Sequence, residues 1–133
     1  MKTVNLFFIL LLSIFVFNAC EKEDGENELH LKFKTDSGYV YRDTSLVGGS
    51  SVKIGVEAET EKAKDPIISF NISESVNGGA PATVYQQNLN VTQYEYDYSF
   101  VLATTAGEVH TYIFTITNRD GFQKQIALTI TIQ

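Results

Sequence analysis

The chain has 133 residues, 44% hydrophobic and 20% charged, with one cysteine, no tryptophan and a formal net charge of −6, a composition ordinary for a single globular domain. The acidic balance, with no basic cluster beyond the separated pair Lys32 and Lys34, argues against nucleic acid, whose phosphates are bound by Lys and Arg that displace counterions, and against anionic membrane surfaces. A lone cysteine excludes an internal disulfide framework.

Lys2 is followed by an apolar run from Leu6 to Phe17, interrupted only by Ser13. As a helix this run reaches about 18 Å at ~1.5 Å per residue, short of the ~30 Å hydrocarbon layer, so residues 1–19 read as a signal peptide rather than a membrane span. Cys20 follows directly, in Phe17-Asn18-Ala19-Cys20. This run resembles the lipobox of bacterial lipoproteins, with Phe17 where leucine is usual and Asn18 bulkier than the common occupant. The resemblance implies lipid attachment at Cys20, and two or more acyl chains suffice to hold a protein on a membrane. Glu21 to Glu28 carry no apolar side chain, so residues 20–28 read as a lipidated cysteine and an acidic tether. The acidic start resembles the export signal of Bacteroidota lipoproteins, which implies a lipid-anchored place on the bacterial outer membrane, facing the cell exterior.

Residues 29–133 read as one domain, large enough for a core without disulfide or metal, and their apolar period is two. Leu29, Leu31 and Phe33 alternate with His30, Lys32 and Lys34, a half-buried strand. After the turn signal Gly48-Gly49-Ser50-Ser51, Val52, Ile54, Val56 and Ala58 form a second apolar face opposite Lys53, Gly55, Glu57 and Glu59. Asp65-Pro66 breaks the chain, Ile68, Phe70 and Ile72 form the next face, and Asn77-Gly78-Gly79-Ala80-Pro81 breaks it again before a short edge strand from Ala82 to Gln87. Tyr94, Tyr96, Tyr98, Phe100 and Leu102 share one parity opposite Gln93, Glu95, Asp97 and Ser99. Tyr112, Phe114 and Ile116 then alternate with Thr111, Ile113, Thr115 and Thr117 up to Asn118-Arg119-Asp120-Gly121, a hairpin signal, and Ile126, Leu128, Ile130 and Ile132 close the chain.

About seven strands in this length predict an all-β, antiparallel sandwich. The run from Tyr112 to Gly121 with its alternating final strand resembles the last two strands of immunoglobulin-like and fibronectin-like modules, which implies an immunoglobulin-like sandwich. Tyr112 either holds the place of the tyrosine corner or is one more core aromatic. Signal peptide, lipidated cysteine, tether and sandwich together resemble the small surface lipoproteins of Bacteroidota. The predicted core is Leu31, Phe33, Val52, Ile54, Val56, Ile68, Phe70, Ile72, Phe100, Phe114, Ile116, Leu128 and Ile130.

Catalytic patterns are missing from the sequence. Two histidines, His30 and His110, and one cysteine cannot make a zinc site of the usual spacing, and both histidines read as surface or rim residues. There is no Gly-x-Ser-x-Gly elbow, Gly48-Gly49 lacks the lysine of a phosphate loop, and the alternating Glu57, Glu59 and Glu61, like Glu95 and Asp97, fit a solvated strand face. No cofactor is expected. The seven tyrosines are the feature that points to recognition, since each ring offers a flat apolar face with a polar tip. Tyr39 and Tyr41 flank Val40, so an inward Val40 turns both rings out. They are the candidate ligand-binding residues, with Asp36 and Asp43 close enough in sequence to supply acceptors. The expected function is therefore a non-catalytic surface binding or adhesion module for a glycan or peptide, the alternative being an accessory subunit of a larger outer-membrane complex such as a nutrient-uptake assembly.

Overall fold

In a computed structural model, residues 28–133 are described; the signal peptide, Cys20 and all of the tether except Glu28 lie outside the described residues. Eight strands follow in order: β1 (Leu29–Phe33), β2 (Thr44–Leu46), β3 (Ser51–Thr60), β4 (Ile67–Val76), β5 (Ala82–Val91), β6 (Gln93–Val101), β7 (Val109–Asn118) and β8 (Gln123–Ile132). They form two sheets, β1-β3-β6 and β2-β8-β7-β4-β5, a two-layer all-β sandwich. The chain changes sheet where extended pairing cannot continue, as at Gly48-Gly49, Asp65-Pro66 and Gly107, with Gly49 at φ +81° and Gly107 at φ +88° in the left-handed region that glycine enters without steric cost.

Period-two patterning explains the core. Val52, Ile54 and Val56 of β3 face Phe70 and Ile72 of β4, Phe114 and Ile116 of β7 and Leu128 and Ile130 of β8, all with almost no exposure. Phe70 is the aromatic centre, its ring 5.2 Å from that of Tyr94, 5.4 Å from Tyr96, 6.1 Å from Tyr85 and 6.4 Å from Phe114. Phe33 and Phe100 are half-buried and pack on this cluster from the other sheet.

Three expectations need correction. First, the sandwich has eight strands, and β2 runs parallel to β8, Thr44 beside Ile130 and Leu46 beside Ile132, so it is not wholly antiparallel. Three residues are too few to show a period; Asp43 fixes the strand in place by accepting the Thr129 N–H at 2.8 Å. Second, Ile68 is not core: it is 36% exposed, and Ile67 is buried in its stead. Against β7, Ile67 pairs with Asn118 and Ser69 with Thr117, so Ile68 is an extra residue, a β-bulge that reverses the parity before Phe70. Third, His110 is no rim residue but is 5% exposed on the inner face of β7. The edge strand β5 also runs beyond Gln87 to Val91.

Candidate functional site

Tyr39 and Tyr41 emerge as the alternation predicts. Val40 packs against the core and donates its N–H to the Lys53 carbonyl at 2.8 Å, which turns both neighbours out of the sandwich. Tyr39 packs over Gly55 on the outer face of β1-β3-β6: a Cβ built there would stand 2.6 Å from Tyr39 Cε1 and 2.7 Å from Lys34 Cδ, so the ring and the lysine stem cover backbone that only glycine leaves open. The Tyr39 hydroxyl donates to Asp97 Oδ2 at 2.9 Å, and the Lys53 ammonium sits 4.6 Å from the ring centroid. Lys34 Nζ lies 3.0 Å from both Glu95 and Asp97, and Lys53 Nζ is 3.2 Å from Asp97. The Lys34 ammonium, aided by Tyr39 and Lys53 against partial burial, holds the Asp97 carboxyl down at about 2, and the same carboxylates push the Lys34 ammonium up.

Tyr41 is 37% exposed with the Arg42 guanidinium 5.5 Å from its ring. Asp43 is occupied with Thr129, while Asp36 meets Tyr39 only through its backbone carbonyl, at 3.3 Å from the Tyr39 nitrogen. The carboxylate beside Tyr39 is therefore Asp97, a residue 58 positions away. With Lys32 paired to Glu57 at 2.8 Å, His30 bonded to Glu61 at 2.8 Å and Gln93 donating to Glu59 at 3.4 Å, the outward side chains of this face form a lattice of ion pairs and polar contacts.

The opposite outer face has a different chemistry. Its outward positions alternate with buried ones: Ser69, Asn71 and Ser73 on β4, Thr111, Ile113, Thr115 and Thr117 on β7, and Gln123, Gln125, Ala127, Thr129 and Thr131 on β8, with Thr83, Gln86 and Asn88 continuing the rows on β5. None of these side chains is charged. Register places Thr117 opposite Gln123, Thr115 opposite Gln125 and Thr111 opposite Thr129, and each pair is bonded: Gln123 Nε2 donates to Thr117 Oγ1 at 3.3 Å, Gln125 Nε2 to Thr115 Oγ1 at 3.0 Å, and the two threonine hydroxyls meet at 3.1 Å. On the other flank Ser73 Oγ donates to Asn71 Oδ1 at 2.8 Å and Asn71 Nδ2 to Thr83 Oγ1 at 3.1 Å. A shallow depression of about 430 Å³ lies along these residues, bounded by Pro81.

Two polar clusters escaped the sequence reading because they join residues distant in the chain. His110 Nδ1 is 2.7 Å from Glu74 Oε1, and Nε2 is 2.9 Å from Glu108 Oε2. Ionised carboxylates only accept, so both contacts are hydrogen bonds when each ring nitrogen carries a proton, and the two carboxylates together push the imidazole up against its burial. Each carboxylate uses a different nitrogen, on opposite sides of the ring. At the other end of the sandwich, buried Asp65 accepts from Asn118 Nδ2 and, at 2.9 Å, from the Asp120 N–H, while Asn118 Oδ1 takes the Phe122 N–H at 2.8 Å. This knot fastens the β7–β8 hairpin to the β3–β4 connection. Among the described residues no group of three or more His, Cys, Asp or Glu is placed to hold a metal ion, and no helix is long and apolar enough to cross a membrane.

No protein-family model matches the sequence, and no curated protein does. Among solved structures, the fold is similar to the superoxide reductase (neelaredoxin) from Ignicoccus hospitalis, with a TM-score of 0.56 and 7% identity over 85% of this chain and 89% of that one. Weaker likenesses are to the sporulation control protein Spo0M from Bacillus subtilis, TM-score 0.44 at 12% identity over 80% of this chain and 49% of that one, and to a conjugate transposon protein from Bacteroides vulgatus, TM-score 0.46 at 10% identity over 79% and 85%. At such identities the first likeness is one of fold: a two-sheet, all-β arrangement whose site chemistry must be argued from its own residues.

Proposed function

We propose that the chain is a non-catalytic binding or adhesion module, an immunoglobulin-like sandwich of the fibronectin kind, held on the outer face of a bacterial outer membrane by lipid on Cys20. The strand order supports the fold comparison: three strands, β1-β3-β6, lie over a four-strand block, β8-β7-β4-β5, with β2 added at its end. One observation carries the functional reading. The outer faces are ordered by cross-strand side-chain bonds and divided by charge, one a lattice of ion pairs and the other uncharged amides and hydroxyls, which suits a surface that recognises by complementarity. A test compares cells displaying the full chain with cells carrying Cys20→Ala. The reading expects adhesion to immobilised glycans or matrix proteins and a lipid-modified Cys20 by mass spectrometry, both lost in the variant; an unmodified thiol in membrane-associated wild type, or equal adhesion by both strains, contradicts it.

A second reading, an accessory subunit of a larger outer-membrane assembly, has its own support. β5 and β6 stand at the ends of their sheets and are ten and nine residues long, and such edges can accept a partner's strand. β5 carries no charged residue and no proline, two of the usual guards of an edge, although it has register irregularities opposite Ile67–Ser69 and Ile72–Ser73. Co-purification of a stoichiometric partner that is lost on introducing proline at Gln87 would favour this reading; a solitary chain would count against it.

A further inference from the structure

We propose that the uncharged outer face of the five-stranded sheet binds a neutral, hydroxyl-rich glycan chain, laid across β4, β7 and β8 with Ile113 at its centre; this assignment rests on the binding-module reading and names its ligand class and its surface. The ligand follows from what the face offers and what it omits. When Gln125 Nε2 donates to Thr115 Oγ1, the threonine O–H remains as a donor and the glutamine Oε1 and second N–H remain as acceptor and donor. Gln123 with Thr117 repeats the arrangement, whereas at Ser73 the hydroxyl donates to Asn71 Oδ1, which leaves the serine oxygen as acceptor and, beyond the N–H given to Thr83, the second Asn71 N–H as donor. Each pair therefore shows both a donor and an acceptor, the combination that a sugar hydroxyl, itself both, can satisfy.

Spacing supports a polymer. Outward positions recur about every 6.8 Å along a strand and about 4.8 Å between strands, a grid that successive sugar units can meet with repeated weak contacts that add through avidity. The amides are pinned by their cross-strand bonds before a ligand arrives, so less side-chain freedom is lost on binding. Ile113, opposite Ala127 on one side and Ser73 on the other, gives the middle of the grid a patch for the C–H face of a ring. The omissions are as informative. An anionic polymer needs cations, and a basic one needs carboxylates; the chain places both on the Tyr39 face instead. A protein partner needs a buried core of aromatic, Met or Arg anchors, and none of the outward side chains on β4, β7 and β8 is one.

The experiment uses the full, detergent-solubilised chain in affinity electrophoresis through gels containing dextran, galactomannan or xylan, and in parallel polygalacturonate or heparin. At least one neutral polymer should retard the protein, and retardation should change less than about twofold between about 50 mM and about 500 mM salt, since no ion pair is formed. Thr115→Glu, which sets one carboxylate in the grid, and Asn71→Ala with Gln125→Ala, which removes two amides, should each weaken it about tenfold with melting temperatures close to wild type. Neutral-polymer binding untouched by both variants overturns the assignment, as does binding confined to anionic polymers or abolished by salt. Failure with every polysaccharide by a chain that still makes cells adhere to protein overturns the glycan and leaves the binding module standing, whereas failure of adhesion as well removes both.

Discussion

Raising the pH above neutrality should weaken this fold through one side chain, His110. Burial by itself pulls the imidazole toward the neutral form, but the hydrogen bonds to Glu74 and Glu108 and the charges of both carboxylates outweigh it, and the net shift is upward. The folded value thus lies above the unfolded one, about 6.5. The stabilisation is complete below the unfolded value and disappears as pH rises through the folded one. The groups facing the ring are Glu74 from β4, Glu108 from the β6–β7 connection and Tyr112, stacked 6.5 Å away. Removing one partner of a buried ion pair costs about 3 to 5 kcal/mol; because the Glu74 and Glu108 side chains keep 27% and 28% exposure, solvent screening brings the expectation for His110→Gln to about 2 to 3 kcal/mol at pH 6. In a domain of this size that lowers the melting temperature by roughly 8 to 20 °C. Urea and thermal melts of wild type and His110→Gln from pH 6 to pH 9 provide the assay, since the difference between the two curves cancels the other titrating groups. That difference should shrink as the wild-type ring loses its proton. A gap that is constant across this range, or absent at pH 6, would refute the doubly bonded imidazolium.

Other perturbations follow from the same contacts. Phe70→Ala or Phe114→Ala should each cost about 3 to 5 kcal/mol in denaturant melts, since both rings are fully buried at the meeting of the two sheets. Asn118→Ala should cost about 1 to 3 kcal/mol by stripping partners from buried Asp65 and from the Phe122 N–H, and hydrogen exchange at Phe122 should accelerate. Tyr39→Ala should cost about 1 to 2 kcal/mol, since the ring shields Gly55 and its hydroxyl bonds Asp97, whereas Tyr41→Ala should stay within about 0.5 kcal/mol; equal effects of the two would contradict the placement of Tyr39. Lowering the pH from 4 through about 2, where Asp97 protonates, should release the Tyr39 ring, read as a change in near-ultraviolet circular dichroism that Asp97→Asn lacks.

Alternation exposed most of the strands because each has one buried and one wet face, and it placed residues such as Ile54, Phe114 and Leu128 in the core without reference to tertiary structure. It failed at Ile68, where a single extra residue reverses parity, and at β2, whose three residues are held by pairing with β8. The site was visible only in pieces. Thr115, Thr117, Gln123 and Gln125 can be recognised as outward from periodicity, but which strands share a sheet is decided by topology, and that division gathers the charged outward residues onto β1, β3 and β6 and the uncharged ones onto the other sheet. The partnerships of Tyr39 with Asp97 and of His110 with Glu74 span 58 and 36 residues, separations across which local patterning carries no information.

Mapping a bound neutral oligosaccharide by amide and methyl nuclear magnetic resonance shifts bears most directly on the claim that the uncharged face is the binding surface. The account predicts shifts concentrated at Asn71, the Ile113 methyls, Thr115, Thr117 and Gln125, with Tyr39, Lys53 and Asp97 unmoved; shifts gathered around Tyr39, or along the edges of β5 and β6, would contradict it.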